Sequence, residues 1–172
     1  MTDAPRDRDE PRDTFSAAQR AGLDVRRADQ DRTLAAVHRL EAALSSAASG
    51  REPSWRKDVV DALAVLEAAA GDEQHNADQP DSLLSDIART QPWLRNRVRG
   101  LRATYQQLRD TISALSADLA RGGDVDVDDL RRRLAWLFTA VRHQRARESD
   151  LIYEAYHDAF RRDLEDDART LP

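Results

Sequence analysis

Residues 94–119 read LRNRVRGLRATYQQLRDTISALSADL. Apolar side chains recur along this stretch at alternating spacings of four and three, at Leu94, Val98, Leu101, Tyr105, Leu108, Ile112, Leu115 and Leu119. Side chains at these spacings share one face of an α-helix. Pro92 is tolerated at the first helical position, and Gly122-Gly123 ends the pattern. The stretch therefore predicts a long helix with one continuous apolar seam.

Similar patterns on both sides of this stretch predict further helices. They run over residues 14–49, from Ser54 to about Ala70 or a little beyond, over a short segment after Asp81-Ser82, and from about Asp128 to about Leu164. The first of these could be preceded by a separate turn around residues 15–23. Its predicted apolar stripe consists of Leu34, Val37, Leu40 and Leu44. Each long helix has one such stripe to bury against its neighbours.

Four long helices with short or moderate connections favour an all-α fold, an antiparallel up-down-up-down four-helix bundle. Residues 14–165 are predicted to form a single bundle domain, since a chain of 172 residues is short for two cores. Residues 1–13 offer almost nothing to bury, so they are interpreted as a disordered N-terminal tail. Residues 166–172 are interpreted as a C-terminal tail.

Composition excludes several classes of protein. The chain has no cysteine, so it can form neither a disulfide framework nor a thiolate metal site. Its net charge is −5, and arginine alternates with acidic residues, which argues against a nucleic-acid partner. No stretch has the apolar length of a signal peptide or a membrane span. We therefore expect a cytoplasmic protein that binds neither a membrane nor a nucleic acid.

Polar residues interrupt the seam of the last long helix. Continuing its heptad from Leu130 and Leu137 reaches Gln144. The second heptad series, from Leu134 and Val141, reaches Glu148. Residues four apart lie on one helix face, so both side chains are predicted to point inward. Tyr105 lies on the seam of its own helix, and His38 lies at the edge of the first helix's apolar stripe. These four side chains are therefore predicted to meet in the bundle core.

Two segments resemble the hemerythrin-like four-helix family. They are VRGLRATYQQL at residues 98–108 and HQRARESDLIYEAY at residues 143–156. The resemblance spans roughly residues 32–160. It implies a bundle with ligands on all four helices and a di-iron centre that handles dioxygen, nitric oxide or peroxide.

The resemblance also implies a ligand set. Glu148 matches the family's carboxylate on the last helix, and His38 matches the histidine of the first helix. His75 corresponds to the histidine of the second helix. Tyr105 and Gln144 stand where the family has histidines. The resemblance thus points to iron as the cofactor, if there is one, with His38, His75, Tyr105 and Glu148 as candidate ligands.

A structural interpretation competes with the metal site. Gln144, Glu148 and Tyr105 could form a buried polar layer with arginine partners that determines the register of the helices. On this interpretation the protein is non-catalytic, and it acts as a structural, sensory or partner-binding bundle with a degenerate metal site. The first alternative is a working di-iron protein.

A further alternative is a helical interaction module or homo-oligomer. It would dock through apolar residues expected at the surface, namely Phe15, Leu23, Val25, Tyr153 and Phe160. The three tryptophans are instead predicted to be packing anchors near helix ends and between helices; they are Trp55, Trp93 and Trp136.

Overall fold

The computed structural model describes residues 14–46, 52–121 and 126–170, and every regular element in these ranges is helical. The helices are α1 (Ala17–Ser45), α2 (Glu52–Asp78), α3 (Leu83–Thr90), α4 (Arg95–Ala120), α5 (Val127–Ala155) and α6 (His157–Thr170). A single 3₁₀ turn over Pro92–Leu94 leads into α4. The predicted N-terminal tail, residues 1–13, lies outside the described ranges.

Side-chain caps start three of the helices. Ser16 and Gln19 form a reciprocal capping box at the start of α1. The side chain of Ser82 accepts a hydrogen bond from the Ser85 backbone NH of α3, and Asp126 accepts bonds from the first turn of α5. Such caps satisfy backbone NH groups that have no partner within the helix. The Asp81-Ser82 start signal and the short helix after it are thus seen in the structure.

The long helices pack in sequence order. α1 lies against α2, α2 against α4, and α4 against α5, while α1 also contacts α5. Two groups of buried apolar residues result. The apolar cluster lies between the carboxyl half of α1, the amino half of α2, the carboxyl half of α4 and the amino half of α5. The end cluster gathers α3, the start of α4, the end of α5 and Phe15.

Helix boundaries differ from the sequence prediction at several places. α1 is one continuous helix with no separate turn before it. α2 starts at Glu52, so Ser54 lies inside it, and it continues past Ala70 to Asp78. The predicted last helix is broken at Tyr156, where the backbone leaves helical geometry, and α6 then continues to Thr170. The boundary predicted at residue 165 therefore falls inside a helix.

The inward face of α1 also differs from the predicted stripe. Leu34 is 38% exposed, whereas Ala36, Val37 and Leu40 are buried. The buried face continues toward the amino end through polar residues, which an apolar pattern does not detect. None of the described helices combines the length and the apolar character that a membrane crossing requires.

Candidate functional site

The buried face of α1 continues past its apolar residues into three polar ones. Arg26, Asp29 and Thr33 follow the same three-and-four spacing that leads on to Ala36 and Leu40. The three polar residues are 3%, 1% and 3% exposed, respectively. Helix geometry therefore places a guanidinium, a carboxylate and a hydroxyl inside the protein, where each needs a partner.

Arg26 is the centre of this region, because its guanidinium contacts α1, α2, α4 and α5 at once. Nη2 donates to Tyr105 Oη at 2.6 Å, to Glu73 Oε1 at 3.2 Å and to Glu148 Oε2 at 3.3 Å. Nη1 donates to Asp29 Oδ2 at 3.3 Å and to the Glu73 carbonyl oxygen at 3.2 Å. Nε lies 2.9 Å from Glu148 Oε1. We name Arg26, Asp29, Thr33, Glu73, Tyr105 and Glu148 the Arg26 cluster.

Opposing effects act on the pKa of Arg26. Burial alone would lower it, but the acidic groups of Tyr105, Glu148 and Glu73 outweigh burial and raise it above the ordinary value. The guanidinium therefore stays charged. Its planar set of donors can serve several acceptors simultaneously, which a lysine ammonium could not do with the same geometry.

Tyr105 links α4 to the cluster. Its hydroxyl accepts from Arg26 and donates to Glu148 Oε2 at 2.8 Å. Burial, together with the charges of Glu148 and Glu73, raises the pKa of Tyr105 well above its usual value. The phenol is therefore held in its protonated form, as a hydrogen-bond donor to the Glu148 carboxylate.

Glu73 brings α2 into the cluster. Thr33 Oγ1 donates to Glu73 Oε2 at 2.6 Å, while Arg26 contacts Oε1. Burial raises the pKa of Glu73, whereas the Thr33 hydrogen bond and the Arg26 charge lower it in part; the net shift is upward. Burial therefore disfavours the charged form of Glu73, and the contacts with Thr33 and Arg26 offset this only in part.

Asp29 is held from two further sides. Asn76 Nδ2 donates to both of its carboxylate oxygens at 3.1 Å, and Arg32 pairs with Oδ1. Arg32 is itself half exposed, so this pair connects the buried cluster to the surface. Every carboxylate that contacts Arg26 therefore has at least one more hydrogen-bond donor.

The structure brings together part of the predicted site. Tyr105, Gln144 and Glu148 are all buried, at 4%, 3% and 0% exposure. Tyr105 and Glu148 are in direct contact, and Gln144 Nε2 donates to the Leu101 carbonyl oxygen at 3.3 Å. Tyr105 and Glu148 thus share an arginine partner, Arg26, whereas Gln144 bonds to the backbone of α4.

The predicted histidine ligands lie elsewhere. The side chains of His38 and His75 are exposed, and His75 contacts Gln79 at 3.0 Å. Since Val37 and Leu40 face inward, His38 faces outward. His75 lies two residues beyond Glu73 and so falls on the opposite side of α2. Neither histidine joins Tyr105 and Glu148.

The donor set does not fit an iron centre. The carboxylates of Glu73 and Glu148 and the phenol of Tyr105 are already bound to the Arg26 guanidinium, which supplies the positive charge between them. Within the described part of the chain, no group of three or more His, Cys, Asp or Glu residues is arranged to hold a metal ion. Among the described residues, no histidine side chain forms a hydrogen bond or an ion pair with the Arg26 cluster.

Four residues of the Arg26 cluster were not predicted from the sequence: Arg26, Asp29, Thr33 and Glu73. A signal for them exists, because Glu73 continues the α2 series Leu66, Ala70, Glu73 and Ala77, just as Arg26 continues the series of α1. The apolar pattern stops at these residues, whereas the helical period does not. Following the period through polar positions would have identified both helices' contributions.

The predicted positions of two tryptophans and of Phe15 are wrong. Trp55 is buried at 5% exposure, but Trp93 and Trp136 are 71% and 53% exposed, so these two are not packing anchors. Phe15 is buried against Tyr156 and Phe160, with ring centroids at 5.6 and 4.8 Å, which removes it as a docking residue. An exposed side chain contacts too few neighbouring residues to hold two helices together.

The other proposed docking residues divide into two groups. Val25 and Tyr153 are 45% and 55% exposed, while Leu23 and Phe160 pack partly against the end cluster. Tyr153 stacks on Phe160, with ring centroids 5.9 Å apart, whereas Val25 is exposed on α1. Single apolar residues at a surface are ordinary and do not by themselves mark an interface.

Comparison with protein-family models found no match, and comparisons with curated proteins and with solved structures found none either. The Arg26 cluster must therefore be interpreted from its own chemistry.

Proposed function

We propose that the chain is a hemerythrin-like, antiparallel up-down-up-down four-helix bundle with a degenerate metal site, and that it acts as a non-catalytic structural, sensory or partner-binding protein. One observation carries this proposal: the Arg26 guanidinium lies between Glu73 and Glu148 and is bonded to Tyr105. A fixed organic cation takes the position that a metal ion would need among these acidic groups.

Charge balance supports this role. Two carboxylates brought close together in a protein interior repel each other and pay a large desolvation cost, so they need a cation between them. A guanidinium on α1 supplies that cation permanently, whatever metal is available. The four long helices are thereby joined through one side chain, which favours a structural task for the centre.

The protonation states of Tyr105 and Arg26 argue against a catalytic role for these two groups. Tyr105 is held as a protonated phenol, and Arg26 remains charged because the neighbouring acidic groups raise its pKa. Neither group is then a ready proton acceptor or nucleophile near neutral pH. The centre binds its own side chains to one another, which leaves interaction with a partner to the outer surface.

Metal analysis tests the proposal directly. The full chain is expressed in iron-supplemented medium and purified without chelators, and iron per chain is measured with the ultraviolet-visible spectrum. We expect colourless protein with far less than one iron per chain. Near-stoichiometric iron with oxo or tyrosinate charge-transfer absorption would overturn the proposal and favour the di-iron alternative.

If the purified protein lacks iron, two variants test whether Arg26 is the reason. Arg26→Ala removes the cation and leaves the carboxylates, whereas Arg27→Ala removes an exposed arginine next to it. If Arg26 takes the place of a metal, added divalent cations should raise the melting temperature of Arg26→Ala and leave Arg27→Ala and the wild type unchanged. Equal stabilisation of all three proteins would show that the cations act elsewhere.

A further inference from the structure

A small cavity lies beside the Arg26 cluster, at its border with the apolar cluster. Its volume, counted as the space that the centre of a water molecule can occupy, is about 20 Å³. Apolar side chains form most of its wall, among them Leu66, Leu108 and Val141. The polar residues of the lining are Thr33, Glu73, Tyr105, Gln144 and Arg145. The lining is therefore mostly apolar, with a smaller polar side.

Three polar atoms of the residues on that polar side have no hydrogen-bond partner among the described residues. They are Gln144 Oε1, Arg145 Nε and Arg145 Nη2, all of them buried. Gln144 Nε2 donates to the Leu101 carbonyl oxygen, so Oε1 is the free end of the amide. Gln144 as a whole is 3% exposed. Buried polar atoms in native proteins are nearly always paired with protein or with ordered water.

The chemistry of these atoms restricts what can satisfy them. Gln144 Oε1 only accepts hydrogen bonds, and the Arg145 guanidinium only donates them. An anion would be repelled by Gln144 Oε1 and by the Glu73 carboxylate, while a cation would be repelled by Arg145. The occupant must be neutral and must both donate and accept. About 10–15 Å³ on this measure is enough for one water molecule, so a larger molecule does not fit.

We propose that this cavity is a binding site for one buried water molecule, which donates a hydrogen bond to Gln144 Oε1 and accepts one from the Arg145 guanidinium. Arg145 is also close enough to Glu73 for its charge to act on that carboxyl group. The inference depends on the cavity and not on the proposed function, since a water site is compatible with either kind of bundle.

Filling the cavity distinguishes a wet site from a dry one. Val141→Ile adds one methylene at the cavity wall and keeps a β-branched side chain. A dry apolar cavity would be filled favourably, and the melting temperature would rise. Displacing a hydrogen-bonded water leaves Gln144 and Arg145 unpaired, so we expect the melting temperature to fall by about 2–4 °C.

A double-variant comparison separates water loss from overpacking. In the background of Gln144→Leu, which removes the acceptor, the same Val141→Ile change should no longer lower the melting temperature. Val59→Ile serves as the packing control, since Val59 is fully buried in the apolar cluster and does not line the cavity. An equal loss from Val141→Ile in both backgrounds would assign the effect to overpacking and would contradict the proposal.

The water itself is counted by magnetic relaxation dispersion of the ¹⁷O nucleus on the full-length wild type. We expect one more long-lived water in the wild type than in Val141→Ile or Gln144→Leu. Equal counts in the three proteins would overturn the proposal. A wild-type crystal grown with bromide adds a further test, because an anomalous peak between Gln144 and Arg145 would identify an anion instead.

Discussion

The apolar cluster and the Arg26 cluster are neighbouring parts of one helical interior, but they are stabilised in opposite ways. The apolar cluster is filled by leucine, valine, isoleucine and alanine with Trp55 and Phe138, and its stability comes from removing apolar surface from water. In the Arg26 cluster, by contrast, charged groups lose water and must recover the cost through direct ion pairs and hydrogen bonds.

This difference affects how each region tolerates change. Apolar contacts are many and individually weak, so losing one side chain leaves the others nearly intact. The Arg26 cluster depends on one guanidinium that contacts the carboxylates of Asp29, Glu73 and Glu148. Removing that single group takes the shared cation away from three buried carboxyl groups. Charged contacts are also directional, so they favour one particular register of the four helices over alternatives.

Replacing the central cation should have the largest effect. Arg26→Met keeps much of the side-chain volume but leaves three carboxylates without their common partner, and we expect the free energy of unfolding to fall by about 3–5 kcal/mol. Urea unfolding followed by circular dichroism measures it. Arg27→Met, at the exposed neighbouring position, is the matched control. A loss of less than about 1 kcal/mol, smaller than that expected for breaking a buried ion pair, would show that the cluster is not a buried ion-pair centre.

A change in the apolar cluster should have the next largest effect on the free energy of unfolding. Leu134 is fully buried, so Leu134→Ala should lower the free energy of unfolding by about 2–5 kcal/mol through lost transfer energy and the resulting cavity. Leu34→Ala makes the same change at a side chain that is 38% exposed, and it should cost clearly less. Similar losses at both positions in urea titrations would mean that α1 buries the stripe predicted from the sequence.

Protonation of Glu73 should produce a smaller, pH-dependent effect. Because the pKa of Glu73 is raised in the folded state, the folded protein binds the proton more tightly than the unfolded chain. This stabilisation is complete below the ordinary value of 4.5 and is lost as the pH rises through the folded pKa. The limiting slope for one group is about 1.4 kcal/mol per pH unit.

Glu73→Gln removes this titration. Relative to the wild type, the variant should therefore become progressively more stable as the pH is raised from about 4.5 toward neutrality. Thermal unfolding of the wild type and the variant at a series of pH values gives this difference. A wild-type-to-variant difference that stays constant with pH would contradict the raised pKa.

The smallest effect on the free energy of unfolding is expected from a change at an exposed residue of α5. Trp136 is 53% exposed, so Trp136→Ala should change the free energy of unfolding by no more than about 0.5 kcal/mol. The same substitution at Trp55, which is 5% exposed, is the control and should cost several times more. If both tryptophans behaved alike in urea unfolding, Trp136 would have to be covered, for example by a partner or a second copy.

Much of the fold could be predicted from local sequence. The four long helices and the short helix after Ser82 follow from period and capping signals, which act over a few residues. Tyr105, Gln144 and Glu148 were predicted to face inward because they continue apolar series on α4 and α5. The break at Tyr156 was not predicted, because the apolar series continues from α5 into α6 without a proline or glycine.

The composition of the centre was harder to predict. Arg26 and Glu73 each look like ordinary surface residues in a chain that is 34% charged. Their helical period matches the buried seams, but period alone does not show that an arginine on α1 has a glutamate opposite it on α2. His38 and His75 illustrate the converse, because a residue type typical of metal sites suggested a role that their outward positions do not support.

Sequence alone determined which segments are helical and which face of α4 and α5 is buried, since both depend on interactions between residues three or four apart. Only the tertiary structure decided that the buried polar residues meet around Arg26, and that Trp93 and Trp136 remain outside. The reason is physical: pairing charges across four helices depends on their relative rotation and axial position, and these are settled by packing of the whole interior.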